Sequence, residues 1–139
     1  MVNNLYTNCL NCDKALTREQ RKRNKFCSSL CANDYKKKKY LENWLISGRL
    51  DYSSNTMIKV DSVYRKYIEQ EQDNKCAICG IPDIWNGAKL IFVLDHIDGD
   101  SSNHNRNNLR LVCPNCDSQL PTYKYHNRNS SRDYRKYKK

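Results

Sequence analysis

The sequence predicts a small α+β protein. We expect bound metal ions, rather than a large apolar core, to hold its fold together. The chain has 139 residues, enough for one ordinary domain or two very small ones, and only 38% of them are hydrophobic. Eight cysteines form four close pairs, the arrangement that tetrahedral zinc needs. The pairs are Cys9/Cys12, Cys27/Cys31, Cys76/Cys79 and Cys113/Cys116. We therefore expect a zinc-stapled fold with two structural Zn²⁺ ions.

Disulfide bonds are the alternative use of these cysteines. The N-terminal sequence MVNNLYTNCL has no apolar signal core, and the longest apolar run is the short segment Leu90–Leu94. No segment of the sequence is predicted to span a membrane. Because disulfides belong to oxidising compartments, these features favour reduced cysteines in a soluble cytoplasmic protein that is not secreted.

Positive charge is concentrated at the two ends of the chain, whose net charge is +10. Lys and Arg outnumber Asp and Glu by ten to four in residues 1–45 and by seven to one in 122–139, whereas the counts are five and five in 46–75 and three and five in 76–121. Basic arms favour a polyanionic partner, and an acidic centre favours a hard cation. The alternative is that the lysine run and the tail are only solvated charge.

The first predicted unit, residues 1–45, holds the cysteine pairs CLNC and CSSLC, separated by fourteen residues. The second pair opens a predicted helix, in which Leu41, Trp44 and Leu45 recur at helical spacing after the basic run Lys36, Lys37, Lys38 and Lys39. Residues 6–40 resemble a treble-clef zinc finger, in which a short knuckle and the first turn of a helix supply the four sulfur ligands.

Residues 46–75 are predicted to contain a linker and an amphipathic helix. Ser47, Gly48 and Arg49 end the preceding helix, and the polar stretch 51–56 is rich in Ser and Asn. The next segment, from Met57 to Gln72, carries apolar residues at helical spacing. These are Val60, Val63, Tyr64, Tyr67 and Ile68. We interpret this helix mainly as packing that leads into the second zinc site.

The second predicted unit begins at Cys76, and thirty-three residues separate its pairs CAIC and CPNC. Within this insertion we expect a strand over Lys89–Leu94, a polar loop that turns at residues 98–100, and a second strand over Leu109–Val112. Pro114 suits the first turn of a helix that Pro121 ends. The predicted order is strand, loop, strand, helix.

Three side chains of this insertion have the chemistry of a hydrolytic site. His96 is a candidate general base because neutral imidazole titrates near working pH. Asp95 beside it and Asp117, one residue past Cys116, are candidate ligands of a hard cation such as Mg²⁺. Each residue also has a purely structural interpretation: an ordinary loop histidine, a turn residue, or a first-turn carboxylate favoured by the helix dipole.

The stretch LDHIDGDSSNHNRNNLRLVCPNC, with CAIC upstream, resembles the HNH endonucleases, whose ββα-metal (His-Me finger) core surrounds one catalytic divalent ion. The likeness covers residues 76–128. It implies that His96 activates the attacking water, that Asp95 binds the catalytic metal, and that Asn108, or alternatively Asn105, braces the loop. The family's last His falls on Asp117, a departure that implies a preference for Mg²⁺ or Mn²⁺ over softer ions.

The resemblance implies a metal-dependent DNA endonuclease that leaves 5′-phosphate and 3′-hydroxyl ends on double-stranded DNA. A freestanding chain of this plan resembles phage HNH proteins, including homing endonucleases, and would act in the host cytoplasm, with a monomer favoured. We expect DNA contacts from Lys36–Lys39, Arg106, Lys124 and Arg128, followed by a basic tail over 129–139. The alternatives are a non-catalytic zinc-dependent nucleic-acid-binding or regulatory protein, and an inactive relative retained for binding.

Overall fold

The computed structural model describes residues 6–21, 24–50 and 57–124. The chain divides into two units, Met1–Glu42 and Asn43–Lys139, which we describe separately. The predicted boundaries at residues 45, 75 and 128 stay predictions. The linker stretch 51–56, Arg128 and the tail 129–139 lie outside the described residues. In the described part of the chain, every helix is too short or too polar to cross a lipid bilayer.

The first unit opens with a tight turn between Asn8 and Ala15, which form an isolated antiparallel bridge. Inside it, the amide of Cys9 donates to the carbonyl of Lys14 at 2.9 Å, and Asp13 has a positive φ of 58°. Helix α1 (Arg18–Arg21) follows. Because Thr17 and Gln20 each accept a hydrogen bond from the other's backbone N–H, they form a capping box at its start.

Helix α2 (Ser29–Ser47) confirms the helix predicted after the second cysteine pair. The hydroxyl of Ser28 accepts a hydrogen bond from the backbone N–H of Cys31 at 3.2 Å, which satisfies a donor of the first turn. At the other end, Gly48 adopts a φ of +65° and donates to the carbonyl of Trp44 at 2.8 Å. Such a left-handed residue is a common way to end a helix, and it supports the predicted stop.

The core of the second unit forms around helix α3 (Met57–Glu71), the helix predicted over Met57–Gln72. Tyr64 and Ile68 are buried on its inner face. The indole of Trp44, which is 0% exposed, packs against the rings of Tyr64 at 4.8 Å and Tyr67 at 6.0 Å between centroids. The last residues of α2 therefore belong to this core.

Two small antiparallel hairpins follow α3. The first pairs β1 (Ile84–Trp85) with β2 (Ala88–Lys89), and the second pairs β3 (Val93–His96) with β4 (Leu109–Val112). A short 3₁₀ turn over Arg106–Asn108 leads into β4, whose bounds are those predicted. The described chain is thus a small α+β protein, which is the predicted fold class in its coarse form.

The strand predicted over Lys89–Leu94 is wrong in its bounds. Lys89 ends β2, and the next strand begins only at Val93. Between them, the backbone N–H of Leu90 donates to Asp83 at 2.7 Å, and the carbonyl of Phe92 accepts from the guanidinium of Arg65. The bond from Leu90 extends the first hairpin by one pair, and Arg65 satisfies the carbonyl of Phe92, so that no single strand runs from Lys89 to Leu94.

Helix α4 (Pro114–Ser118) follows directly from β4. Cys113 is its N-cap, and Pro114 occupies its first position, where a missing N–H costs nothing. The helix ends at Ser118, three residues before Pro121. The second hairpin and α4 follow one another in the predicted order of strand, loop, strand and helix.

Candidate active site and cysteine clusters

The first cysteine cluster joins the tight turn near the N-terminus to the start of α2. Sulfur atoms of its four members all lie within 4.8 Å of one another. The Sγ atoms of Cys12 and Cys27 are 3.7 Å apart, and those of Cys27 and Cys31 are 3.5 Å apart. Cys9 is buried under the turn, whereas Cys12 is exposed at its edge. The cluster brings together the four predicted ligands of the first zinc ion.

The second cluster joins the turn after α3 to the start of α4. Its four sulfur atoms, from Cys76, Cys79, Cys113 and Cys116, also lie within 4.8 Å of one another. The Sγ atoms of Cys79 and Cys113 are 3.7 Å apart, and the backbone N–H of Cys113 donates to the sulfur of Cys76 at 3.2 Å. Residues 80–112 therefore form a loop whose two ends are held side by side.

The sulfur separations fit zinc and exclude disulfide bonds in both clusters. A Zn–S bond of about 2.3 Å makes the edge of a sulfur tetrahedron about 3.8 Å. A disulfide bond instead holds its two sulfurs about 2.05 Å apart. The measured distances of 3.5–3.7 Å match the tetrahedral edge, and all eight thiols are free. Both clusters are therefore compatible with zinc.

The pKa values of the thiols also favour a cation at the centre of each cluster. Burial acts to raise the pKa of Cys9 and of Cys76, but N–H groups of the neighbouring backbone outweigh it and lower both values to about 6. Hydrogen bonds to Cys31 and Cys12 raise the pKa of Cys27, and burial raises that of Cys116, both to about 12. The lowered pKa values of Cys9 and Cys31 in the first cluster and of Cys76 in the second favour their thiolates, and a metal ion would be needed to hold all four thiolates of a cluster.

Asp95 lies on β3, directly opposite Arg110 on β4. Only 8% of Asp95 is exposed, and its Oδ2 accepts a hydrogen bond from Nε of Arg110 at 2.7 Å. A buried carboxylate needs such a partner because its charge has left water. Sequence reasoning missed Arg110. Its place opposite Asp95 would have followed from pairing the second predicted strand with a strand that ends at His96.

Asp117 on α4 faces the same carboxylate. Burial first, and then the negative charge of Asp95, raise the pKa of Asp117, while the ammonium of Lys124 acts in the opposite direction. In the described part of the chain, Oδ1 of Asp95 and both carboxylate oxygens of Asp117 accept no hydrogen bond. The structure therefore brings the two predicted ligands together with oxygens that a hard cation can use.

His96 ends β3 beside a second histidine. Its Nε2 lies 3.3 Å from Nδ1 of His104, and the two rings meet nearly edge to face, with centroids 5.2 Å apart. Sequence reasoning assigned no role to His104 and so missed this contact. Seven residues of irregular loop separate the two histidines, and no spacing rule predicts how such a loop closes.

Asn108 connects both sides of the loop that follows His96. Its side-chain amide donates to Oδ1 of Asp98 and to the carbonyl of Asn103, both at 2.9 Å, and its Oδ1 accepts from the backbone N–H of Asp98 at 3.0 Å. Among the described residues, the side chain of Asn105 bonds only to Asn103, at 2.7 Å. Hydrogen bonds from the side chains of Asn103 and Asn108 hold the pKa of Asp98 below its ordinary value.

The predicted DNA-contacting residues differ in how much of their charge is already engaged. Lys36–Lys39 are exposed along α2, where Lys37 pairs with Asp34 at 3.5 Å and Lys39 pairs with Glu42 at 2.7 Å. Arg106 donates to a carboxylate oxygen of Glu71 at 2.5 Å and is only 24% exposed. Lys124 is exposed, and its charge lies near enough to Asp117 to oppose the rise in the pKa of that carboxyl. Arg128 lies outside the described residues.

One comparison with known proteins gives a partial match. A 50-residue segment, 36% of the chain, is 38% identical to a protein named H-N-H endonuclease F-TflIV from Escherichia phage T5. The chain spans 22% of the length of that relative. No protein-family model matches the chain, and no solved structure gives a significant match. The partial likeness supports a nuclease function in general.

Proposed function

We propose that the chain is a metal-dependent DNA endonuclease of the HNH type, with a ββα-metal core formed by β3, β4 and α4. The observation that carries the proposal is the placement of Asp95 and His96 at the end of β3, Asn108 just before β4, and Asp117 on α4, where the charge of Asp95 acts on Asp117. Similarity to a phage protein named as an HNH endonuclease supports it. Double-stranded DNA would be the partner of a monomer, and the host cytoplasm would be its place of action.

In this proposal, His96 takes the proton of the attacking water as the oxygen approaches phosphorus. A neutral imidazole at the open end of a strand can act as a general base near neutral pH. Asn108 keeps the following loop in one conformation through its three hydrogen bonds, so that the imidazole stays in place. Cleavage on the 3′-oxygen side leaves a 5′-phosphate and a 3′-hydroxyl.

Asp95 and Asp117 would hold the catalytic cation. Their mutual repulsion, seen in the raised pKa of Asp117, is relieved by a positive charge placed between them. When bound, Mg²⁺ or Mn²⁺ supplies Lewis-acid stabilisation of the phosphoryl oxygens and the leaving group. Arg110 neutralises part of the charge of Asp95 and orients it through Oδ2, which leaves Oδ1 for the cation.

The two zinc ions would shape the protein and take no part in bond breaking. The second cluster holds together the ends of the segment that carries the site, and the first would form a treble-clef finger that helps to grip DNA. Lys36–Lys39, Arg106, Lys124 and Arg128 are the proposed phosphate contacts. Such contacts bind any sequence and weaken as salt concentration rises.

The deciding experiment incubates the zinc-loaded chain with supercoiled plasmid and Mg²⁺ or Mn²⁺, beside His96→Ala. We expect the native chain to nick or linearise the plasmid, and His96→Ala to lose about 10²–10⁴-fold in rate, the usual contribution of a general base. The variant should retain two zinc ions per chain and its affinity for duplex DNA. His126→Ala is the matched control, because it removes a histidine that the proposal does not use.

Ligation of the product tests the bond that is cleaved. DNA ligase should reseal the nicks without further treatment, since they would carry a 5′-phosphate and a 3′-hydroxyl. Failure of the native chain to cleave with any divalent cation, while it binds duplex DNA with both zinc ions present, would favour the non-catalytic nucleic-acid-binding alternative. Equal activity of His96→Ala would remove His96 from the mechanism.

A further inference from the structure

His104 is the residue of this site that the proposed function leaves without a role. Its Nδ1 lies 3.3 Å from Nε2 of His96, which is hydrogen-bond distance for two ring nitrogens. We propose that His104 is a positioning residue that accepts a hydrogen bond from Nε2–H of His96 and so directs Nδ1 of His96 toward the attacking water. The inference rests on the proposed function and names a residue that acts through His96.

The backbone of His104 is fixed by the end of helix α2. Nε1–H of Trp44 donates to the carbonyl oxygen of His104 at 2.6 Å, and the indole is fully buried between Tyr64 and Tyr67. A well-packed indole is a rigid donor, because its rotamer is set by its neighbours. The backbone of His104, from which the imidazole projects, is therefore held by a rigid point of the core.

The residue after His104 also lies against the end of α2. A Cβ atom added to Gly48 would lie 1.8 Å from Oδ1 of Asn105, closer than any real contact. Gly48 thus allows the loop to approach the helix end as closely as it does, and its φ of +65° suits glycine as well. Two adjacent loop residues contact α2, which restrains the position of His104 further.

The hydrogen bond fixes which nitrogen of His96 can act as a base. A neutral imidazole has one N–H and one lone pair, and the partner of one nitrogen decides the state of the other. With its proton on Nε2 and directed at His104, His96 presents the lone pair of Nδ1. The proton of the water then moves to Nδ1 while the oxygen–phosphorus bond forms and the bond to the 3′-oxygen breaks; that oxygen leaves as an alkoxide and takes a proton from solvent.

The contact should matter more as the reaction proceeds. Once Nδ1 has taken the proton, His96 is an imidazolium, and its bond to His104 becomes a charge-assisted hydrogen bond, about twice as strong as a neutral one. An interaction that strengthens toward the transition state raises kcat and leaves KM nearly unchanged. A residue that only contacted DNA would change KM instead.

Kinetics of His104→Ala and His104→Asn on plasmid DNA test the inference. We expect His104→Ala to lower kcat roughly 10- to 100-fold, the usual cost of losing an outer-shell partner, with KM and zinc content unchanged. His104→Asn should recover most of the rate, because its amide oxygen lies near the position of Nδ1. Asn107→Ala, an exposed residue of the same loop, is the matched control. Native kcat in His104→Ala would overturn the inference.

The double variant separates action through His96 from any independent action. In the His96→Ala background, removal of His104 should cost no further rate, because its effect passes through the missing imidazole. An additional loss of the same size as in the native background would contradict the inference. Inactivity of the native chain would count against the proposed function itself, which keeps the two failures distinct.

A measurement of the ring protons tests the contact without reference to activity. Proton–nitrogen correlation spectra of the native chain should show the His96 ring protonated at Nε2 and bare at Nδ1. In His104→Ala the two tautomers should mix. A native spectrum with the proton on Nδ1 of His96 would overturn the proposal even if the kinetic variants were poorly folded.

Discussion

The two cysteine clusters have nearly the same geometry but enclose different segments. Sulfur separations of 3.7 and 3.5 Å in the first cluster compare with 3.7 Å in the second. In each, one buried cysteine has a pKa near 6 and a later one a pKa near 12. The first cluster, however, encloses fourteen residues between its pairs, and the second encloses thirty-three.

The difference in length shows that a metal cluster can hold together the two ends of a long segment in a small protein. Closing a loop costs conformational entropy that grows only with the logarithm of its length, about 0.6 kcal/mol for each doubling. The second cluster can therefore enclose a segment twice as long at small extra cost. That segment is polar and contains Asp95, His96 and Asn108. A small apolar core alone could not have held these residues in place.

Removal of one cysteine cluster at a time should give the largest difference between the two regions, measured as loss of structure and of cleavage. Structural zinc contributes about 10–16 kcal/mol in small domains, as much as the whole stability of most proteins. We expect Cys113→Ser to lose one zinc ion, the second hairpin and all cleavage. Cys27→Ser should also lose one zinc ion, but it should keep kcat within about tenfold on saturating DNA and bind DNA more weakly.

Zinc content, circular dichroism and plasmid cleavage measure this contrast on the same preparations. Helix α2 should survive in Cys27→Ser, because Trp44 at its far end remains packed against Tyr64 and Tyr67. If Cys27→Ser kept the second zinc ion and yet lost all turnover at saturating DNA, the first cluster would have a part in the chemistry. The proposed division between shape and cleavage would then fail.

Asn108→Ala should give the next largest effect. It removes three hydrogen bonds that join both sides of the loop, and we expect it to lower the free energy of unfolding by about 1–3 kcal/mol and kcat about 10- to 100-fold. Asn105→Ala is the matched control and should stay within about 1 kcal/mol, because its side chain bonds only to Asn103.

Thermal unfolding and cleavage rates of these two variants decide which asparagine braces the loop. The pKa of Asp98 should rise in Asn108→Ala, because one of the two side-chain donors that lower it is gone. A larger loss of kcat in Asn105→Ala than in Asn108→Ala would transfer the bracing role to Asn105.

Local patterns predicted much of this structure because local physics determines those parts. The cysteine pairs have the spacing of metal ligands, α2 and α3 follow from apolar residues at helical spacing, and Gly48 ends α2 because it adopts a positive φ. The segment before β3 was mispredicted because Leu90 bonds to Asp83 at the end of the first hairpin, and because Arg65, distant in sequence, satisfies the carbonyl of Phe92. Periodicity carries no information about such partners.

The same limit explains the residues of the site that sequence reasoning missed. The pairing of Arg110 with Asp95 depends on the register of a hairpin with a twelve-residue connection, and a shift of one residue would place Arg110 on the other face. The contact of His104 with His96 depends on loop closure and on the indole of Trp44, sixty residues away along the chain. Composition and spacing show which residue types the chain contains. They do not show which of these residues come into contact in the tertiary structure.

Asp117→Asn should give the smallest effect on stability, and the sign of that effect distinguishes a metal ligand from a structural carboxylate. Burial and the charge of Asp95 raise the folded-state pKa of Asp117 above its unfolded value of 3.8, so the ionised carboxylate destabilises the fold. This cost is present in full above the folded-state pKa and disappears as pH falls toward 3.8. The zinc-loaded variant, with no other divalent cation, should therefore be more stable than the native chain at pH 7, and the difference should shrink as pH falls.

Addition of Mg²⁺ at pH 7 should reverse that order. The gain in Tm from Asp117→Asn should be a few degrees at most, since 1 kcal/mol corresponds to about 4–8 °C in a small domain. Mg²⁺ stabilises the state that binds it, and only the native chain retains both carboxylates. Scanning calorimetry with and without Mg²⁺ measures both effects. If Asp117→Asn were less stable without Mg²⁺ and equally stabilised with it, Asp117 would be a structural residue and the cation would have to bind elsewhere.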